Sequence, residues 1–173
     1  MGVRRKKPEP EPPPPPKGIV VDGSNVTASA TSGAARRLSQ ALDWCASFGT
    51  ALPVVVYFDA ATLRRLGAES ESALQQLARA AGAEFRVAPV GVPADQGLLE
   101  HAQQARAIAL TNDRFWDFED QRRDVILLQF VCDGKGFRVP EEATWFLPSG
   151  AARRVRVDAL RPGCDRTAQA RAK

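Results

Sequence analysis

Gly18-Ile19-Val20-Val21-Asp22-Gly23 is a short apolar run that stops on an Asp-Gly pair. A run of this length, bounded by a turn signal, reads as a buried strand. Working downstream, Leu38, Leu42, Cys45 and Phe48 recur at helical spacing between Gly33 and Phe48, and Gly49 supplies a stop. Pro53 to Phe58 (PVVVYF) is a second buried strand, rich in β-branched residues. Residues 60–66 can form one or two helical turns, and a helix over 71–81 carries Leu74, Leu77, Ala78 and Ala81 on one face. Glu84 to Val87 is a short third strand. Pro93 opens another helix, with Asp95 in its first turn and Leu98, Leu99, Ala102 and Ala105 along one side. Ala107 to Leu110 is a fourth strand, ending in Thr111-Asn112-Asp113. Residues 114–121 look helical, and Asp124 to Val131 forms a fifth strand. Phe137-Arg138-Val139 is expected to pair back on it as a hairpin through the turn at 133–136, and Thr144 to Leu147 to add an edge strand.

Strands that alternate with helices imply an α/β fold, a parallel sheet with helices on both faces. Working upstream, residues 1–17 hold seven prolines and the basic stretch Arg4, Arg5, Lys6, Lys7. They offer too little apolar surface to fold and are expected to be extended or disordered. Residues 151–173 carry seven basic and two acidic groups and read as a second basic tail, which leaves one domain over 18–150. The net charge of +4 therefore divides unevenly, with +3 before Gly18, +5 after Gly150 and −4 in the expected core. Basic termini are compatible with nucleic-acid binding and equally with mere solubilisation.

Composition excludes several chemistries. Cys45, Cys132 and Cys164 are odd in number and far apart, so a disulfide framework or CxxC metal knuckle is not expected. No apolar run approaches the ~18 residues of a membrane span, and proline stands where a signal peptide would be apolar; a cytoplasmic location is the expectation. The single histidine, His101, rules out mechanisms needing a pair and reads as a surface side chain. No GxxxxGK[ST] loop, GxGxxG turn or GxSxG elbow occurs.

Carboxylates remain. In open α/β sheets, functional groups gather beyond the carboxyl ends of the strands, where strand order reverses. Asp22 ends the first strand, Asp113 follows the fourth, and Asp95 opens the intervening helix. Asp117 lies four residues after Asp113, on the same face if the segment is helical. Each has an ordinary alternative, whether turn former, helix cap or surface charge. Together they are costly, because three mutually close carboxylates repel by on the order of 10 kcal/mol, comparable to the stability of a domain. Such a cluster takes up protons or a divalent cation, and all-oxygen ligation favours Mg²⁺ or Mn²⁺. Asp59 also follows a strand, but one expected to lie a position away from the cleft, and it is set aside.

These residues carry a family resemblance. Ile19-Val20-Val21-Asp22-Gly23-Ser24-Asn25-Val26 resembles the opening motif of NYN domains in the PIN-like nuclease superfamily. Ala94-Asp95-Gln96 through Leu98-Leu99 is similar to their central acidic motif, and Thr111-Asn112-Asp113-Arg114-Phe115-Trp116-Asp117 to their closing (S/T)NDxFxD motif. In particular, residues 18–131 look like the endoribonuclease domain of CCCH zinc-finger RNA-decay proteins and bacterial relatives.

The resemblance implies a three-layer α/β/α PIN-like fold of about five strands in the order 3-2-1-4-5, with the first and fourth strands adjacent. It implies Mg²⁺- or Mn²⁺-dependent hydrolysis of single-stranded RNA, with Asp22, Asp95, Asp113 and Asp117 as the metal-site carboxylates. Asn25 would be a polar partner of Asp22 or of the phosphate, and Ser24 and Asn112 supporting polar groups. Arg114, Arg36 and Arg37 are candidates for gripping the RNA backbone, and Trp116 or Phe115 for stacking on bases, one of the two being expected in the core. Self-association is common in the family, so a homodimer is a further expectation. Relatives often carry a double aspartate in the central motif, and here its first position is Ala94. That departure leaves open a PIN-like RNA-binding module without catalysis; the toxin of a toxin–antitoxin pair is a separate third reading.

Overall fold

The computed structural model describes residues 12–28, 33–49, 52–133 and 136–163. In chain order the elements are β1 (Gly18–Asp22), α1 (Gly23–Thr27), α2 (Ala34–Phe48), β2 (Val54–Phe58), α3 (Ala60–Leu66), α4 (Ala68–Ala80), β3 (Glu84–Val87), α5 (Ala94–Ala105) and β4 (Ala107–Leu110). A 3₁₀ turn at Trp116–Phe118 precedes β5 (Ile126–Leu128), β6 (Val131–Asp133), β7 (Gly136–Arg138), β8 (Glu142–Phe146) and β9 (Ala152–Arg156), and a second 3₁₀ turn spans Asp158–Leu160.

The main sheet runs β3-β2-β1-β4-β5-β8-β9. Its first five strands are parallel and in the expected order 3-2-1-4-5, the PIN-like arrangement. Registers such as Val20 opposite Val55 and Ala109 align the strand ends, so β1 and β4 stop side by side at the switch point. Alternation along each strand sends side chains to two cores. Ile19, Val21, Val56, Phe58, Ile108 and Leu110 meet Leu38, Leu42, Cys45 and Phe48 of α2 and Leu74 and Ala78 of α4. Val20, Val55, Ala109 and Leu127 meet Leu98, Leu99 and Ala102 of α5 together with Phe115. Each such aliphatic or aromatic side chain, fully buried, contributes ~1.5–3 kcal/mol.

Beyond β5 the sheet departs from expectation. The segment 124–131 is interrupted after Leu128, and Val131–Asp133 pairs instead with Gly136–Arg138 as a separate hairpin, carried by Phe130 stacked on Phe137. The strand expected at the edge, β8, is interior, because residues assigned to a basic tail form β9 antiparallel to it. Arg154 and Arg156 point outward there while Val155, Val157 and Leu160 are buried, the alternation of a half-buried strand. The fold therefore extends past Gly150; residues 164–173 lie outside the described residues. At the other end, Pro13 and Pro16 of the proline run are buried at the three-residue period natural to polyproline, and the Lys17 N–H donates to the Arg106 carbonyl. This part of the N-terminal segment is docked, and residues 1–11 lie outside the described residues. Among the described residues no helix is long and apolar enough to cross a membrane.

His101 is not a simple surface histidine. It is half-buried against Tyr57, and its Nδ1 lies 2.9 Å from the Arg86 guanidinium, which also donates to the Tyr57 hydroxyl at 3.0 Å. Burial and the Arg86 charge together hold the imidazole below its ordinary pKa.

Candidate functional site: carboxylates at the switch point

Asp22 ends β1 and is only 6 % exposed. It caps α1, with Oδ1 accepting the Asn25 backbone N–H at 2.9 Å, while Oδ2 accepts the Thr111 hydroxyl at 2.8 Å. Two hydrogen bonds only partly offset the loss of water, so its carboxyl is pushed up to about 6, first by burial and then by the charges of Asp95 and Asp113. Gly23 follows because nothing larger fits: a Cβ there would stand 2.4 Å from the buried Phe58 ring. The Asp-Gly pair is thus a packing requirement as well as a helix start.

Asp113 is set by β4. The fully buried Thr111 accepts the Asp113 N–H at 3.1 Å, and Asp113 Oδ1 accepts the Phe115 N–H at 2.7 Å. Phe115 takes a left-handed backbone (φ 50°) and buries its ring, which leaves Trp116 67 % exposed. Of the two aromatics, Phe115 is the core residue.

This left-handed turn also ends any helix at 114–121, where only Trp116–Phe118 is 3₁₀. The i, i+4 relation expected between Asp113 and Asp117 therefore does not exist. Asp117 is exposed, and it is not among the charges that raise Asp22 and Asp95.

Asp95 occupies the first turn of α5, half-buried, and its carboxyl is raised by burial and by the charges of Asp113 and Asp59. Asp59 is therefore part of the same electrostatic neighbourhood, although sequence position set it aside. It caps α3 through Thr62 N at 2.6 Å, and its own N–H donates to Ser24 Oγ at 2.8 Å. Burial would raise it, but hydrogen bonds from Ser24 and Thr62 outweigh that and hold it below the usual range. Ser24 thus supports Asp59 rather than Asp22. The signal was present in the sequence, since Asp59 directly follows β2 and Asp22 closes β1.

Asn25 and Asn112 brace the loops: Asn25 Oδ1 accepts the Asn112 N–H at 3.4 Å, and Asn112 Oδ1 accepts the Phe130 N–H at 2.9 Å. Arg114 is exposed beside Asp113. Arg36 and Arg37 sit in the first turn of α2, away from the cavity described next.

Four strand-end or helix-start carboxylates gather here, but they do not form a closed cage. Among the described residues no three His, Cys, Asp or Glu side chains stand close enough to hold one ion together. The expectation of three or four aspartates on one cation is corrected accordingly. Both Asp22 oxygens and one Asp113 oxygen are oriented by protein donors. An open set of this kind fits Mg²⁺ or a similar hard ion, which keeps several waters and takes one or two carboxylates plus substrate phosphate.

Beside Asp113, the uncovered face of β5, β8 and β9 forms a cavity of about 370 Å³. Asp113, Arg114, Trp116, Arg122, Phe146 and Arg154 are among its walls.

No family model and no curated protein matches the chain. Among solved structures it is similar to nuclear protein-only RNase P 2 of Arabidopsis thaliana, with a TM-score of 0.53 and 10 % identity. The match covers 79 % of this chain and 35 % of that one, so the chain spans about a third of that protein. The likeness establishes the α/β fold.

Proposed function

We propose that this chain is a divalent-cation-dependent endoribonuclease acting on single-stranded RNA. One observation carries the reading: Asp22, buried at the end of β1, is joined through the Thr111 hydroxyl to the Asp113 loop at the switch point, with the charges of Asp95 and Asp113 near enough to raise it. The structural likeness to an RNase P protein supports the same class of substrate.

Asp22 and Asp113 would hold Mg²⁺ or Mn²⁺, which when bound supplies polarisation of the phosphodiester and activation of water. Thr111 and Asn25 fix the Asp22 carboxylate in one orientation, and Phe115 does the same for Asp113. Asp95, half-exposed in the first turn of α5 and raised from its ordinary value by burial and by Asp113 and Asp59, is the base we assign to the attacking water's proton. Hydrolysis breaks the P–O3′ bond and leaves 3′-hydroxyl and 5′-phosphate ends. Arg114, exposed beside Asp113, lies where the strand would leave the site.

Incubating the full chain with end-labelled single-stranded RNA and DNA, in Mg²⁺, Mn²⁺ or EDTA, tests this. Internal cleavage of RNA that EDTA stops and Asp22→Asn abolishes is expected. Cleavage that persists in EDTA, or in Asp22→Asn, would refute it. Ala94 and the open carboxylate set favour a second reading, an RNA-binding module without catalysis. RNA binding without cleavage under all metal conditions, and no Mn²⁺ affinity on titration, would establish that one instead.

A further inference from the structure

The cavity beside Asp113 has a wall that the carboxylate site does not use. Arg122 is 6 % exposed, and its guanidinium lies over both the Trp116 ring (4.8 Å) and the Phe146 ring (4.6 Å). One Nη donates to the Arg114 carbonyl at 3.0 Å, but the buried Nε has no hydrogen-bond partner. Among the described residues no carboxylate forms an ion pair with Arg122. A buried cation without a counter-charge is costly, and such groups are normally paired.

Arg114 and Arg154 line the same cavity, so three cations face one acid, Asp113, at its end. Leu127 floors it, Gln129 and Thr144 offer uncharged polar groups, and Trp116 presents an exposed indole. A ligand suited to these walls is anionic at one part and flat at another. The volume of about 370 Å³ lies at the small end of the range of about 300–1,000 Å³ typical of small-molecule sites.

We propose that this cavity holds one nucleotide of the RNA strand next to the scissile phosphate, its phosphate against Arg122 and Arg154 and its base against Trp116. The assignment rests on the nuclease reading for the identity of the strand, but the cavity's cations and rings are independent of it. It makes β9, which supplies Arg154, part of the substrate surface.

Titration of the full chain with adenosine 5′-monophosphate, followed by calorimetry, tests the proposal. Trp116→Ala and Arg154→Glu change exposed side chains and should fold normally, whereas Arg122→Gln removes a buried charge and serves only as corroboration. Trp116→Ala and Arg154→Glu should each weaken binding about tenfold, the order expected for loss of one base stack or one phosphate contact. With RNA as substrate they should raise KM while changing kcat little, and Asp22→Asn should retain nucleotide binding. If adenosine monophosphate does not bind, or binds equally to both variants, the cavity assignment is wrong. Intact RNA cleavage with unchanged KM in both variants also overturns the cavity assignment and leaves the nuclease reading standing. Absence of any cleavage, with nucleotide binding that both variants weaken, removes the nuclease reading and keeps the cavity as a nucleotide site.

Discussion

The hydroxyl of Thr111 donates to the Asp22 carboxylate across the β1–β4 seam at 2.8 Å, and the same oxygen accepts the Asp113 N–H at 3.1 Å. One buried side chain therefore couples the orientation of one acid to the backbone position of the other. Thr111→Val keeps the shape but leaves Asp22 short of a donor, which costs ~1–3 kcal/mol. Thr111→Ser restores the hydroxyl. Urea unfolding should rank wild type and Ser above Val, and RNA cleavage should follow the same order. A Val variant as stable and active as wild type would remove Thr111 from the site.

Asp22 sets a pH dependence whose sign is unusual for a carboxylate. Its folded value of about 6 lies above the ordinary 3.8, so the folded protein holds the proton more tightly than the unfolded chain. Its contribution is therefore fully present below about pH 4 and is lost as pH rises through about 6, a fall of at most ~3 kcal/mol. Asp22→Asn cannot titrate and should lose this slope, becoming the more stable form at pH 7. Thermal unfolding across pH 4–8 measures the difference between the two proteins, which cancels the opposite contribution of Asp59. Mg²⁺ should raise the wild-type Tm more at pH 7 than at pH 4. Parallel stability curves for wild type and Asp22→Asn would show that the buried charge is already compensated.

The strand order and the meeting of Asp22 with the Thr111–Asp113 loop were legible because they rest on strong local signals. Apolar runs mark β1, β2 and β4, and the alternation with helices leaves few ways to order them. What local pattern could not supply was the effect of packing on backbone. Residues 114–121 have helical composition, yet burying the Phe115 ring forces a left-handed turn that separates Asp117 from Asp113. Asp59 was discounted by strand position, whereas Ser24 and the N-terminus of α5 bring the neighbouring strand end into the same field. The C-terminal arginines looked like a tail because their charge hid a period of two, in which Val155 and Val157 supply the buried partners.

Asp59 allows a cap to be separated from a charge. Its Oδ1 accepts the Thr62 N–H at 2.6 Å, a bond that an asparagine oxygen reproduces. Asp59→Asn should thus keep the cap and lose only what the charge of the carboxylate adds, while Asp59→Ala loses the cap as well, a further ~1 kcal/mol. Both variants remove one of the charges that raise Asp95, so the pH at which RNA cleavage is half-maximal should move down equally in both. A profile that moves only in the alanine variant would assign Asp59 to structure alone.

Leu160 decides whether the C-terminal segment is tail or fold. It sits in the 3₁₀ turn after β9, fully buried among the side chains that cover the α2 face of the sheet. In a solvated tail, truncating it would be silent. As part of the core, Leu160→Ala should cost ~2–5 kcal/mol, since it removes packed methyls and leaves a cavity. Arg156→Ala, four residues earlier at the end of β9 and, among the described residues, ion-paired with the exposed Asp158, should change stability by about 0.5 kcal/mol or less. Urea denaturation of the two variants beside wild type reads the contrast directly. Equal midpoints for Leu160→Ala and wild type would put the end of the domain back at Gly150, and would take Arg154 and its cavity wall away with it.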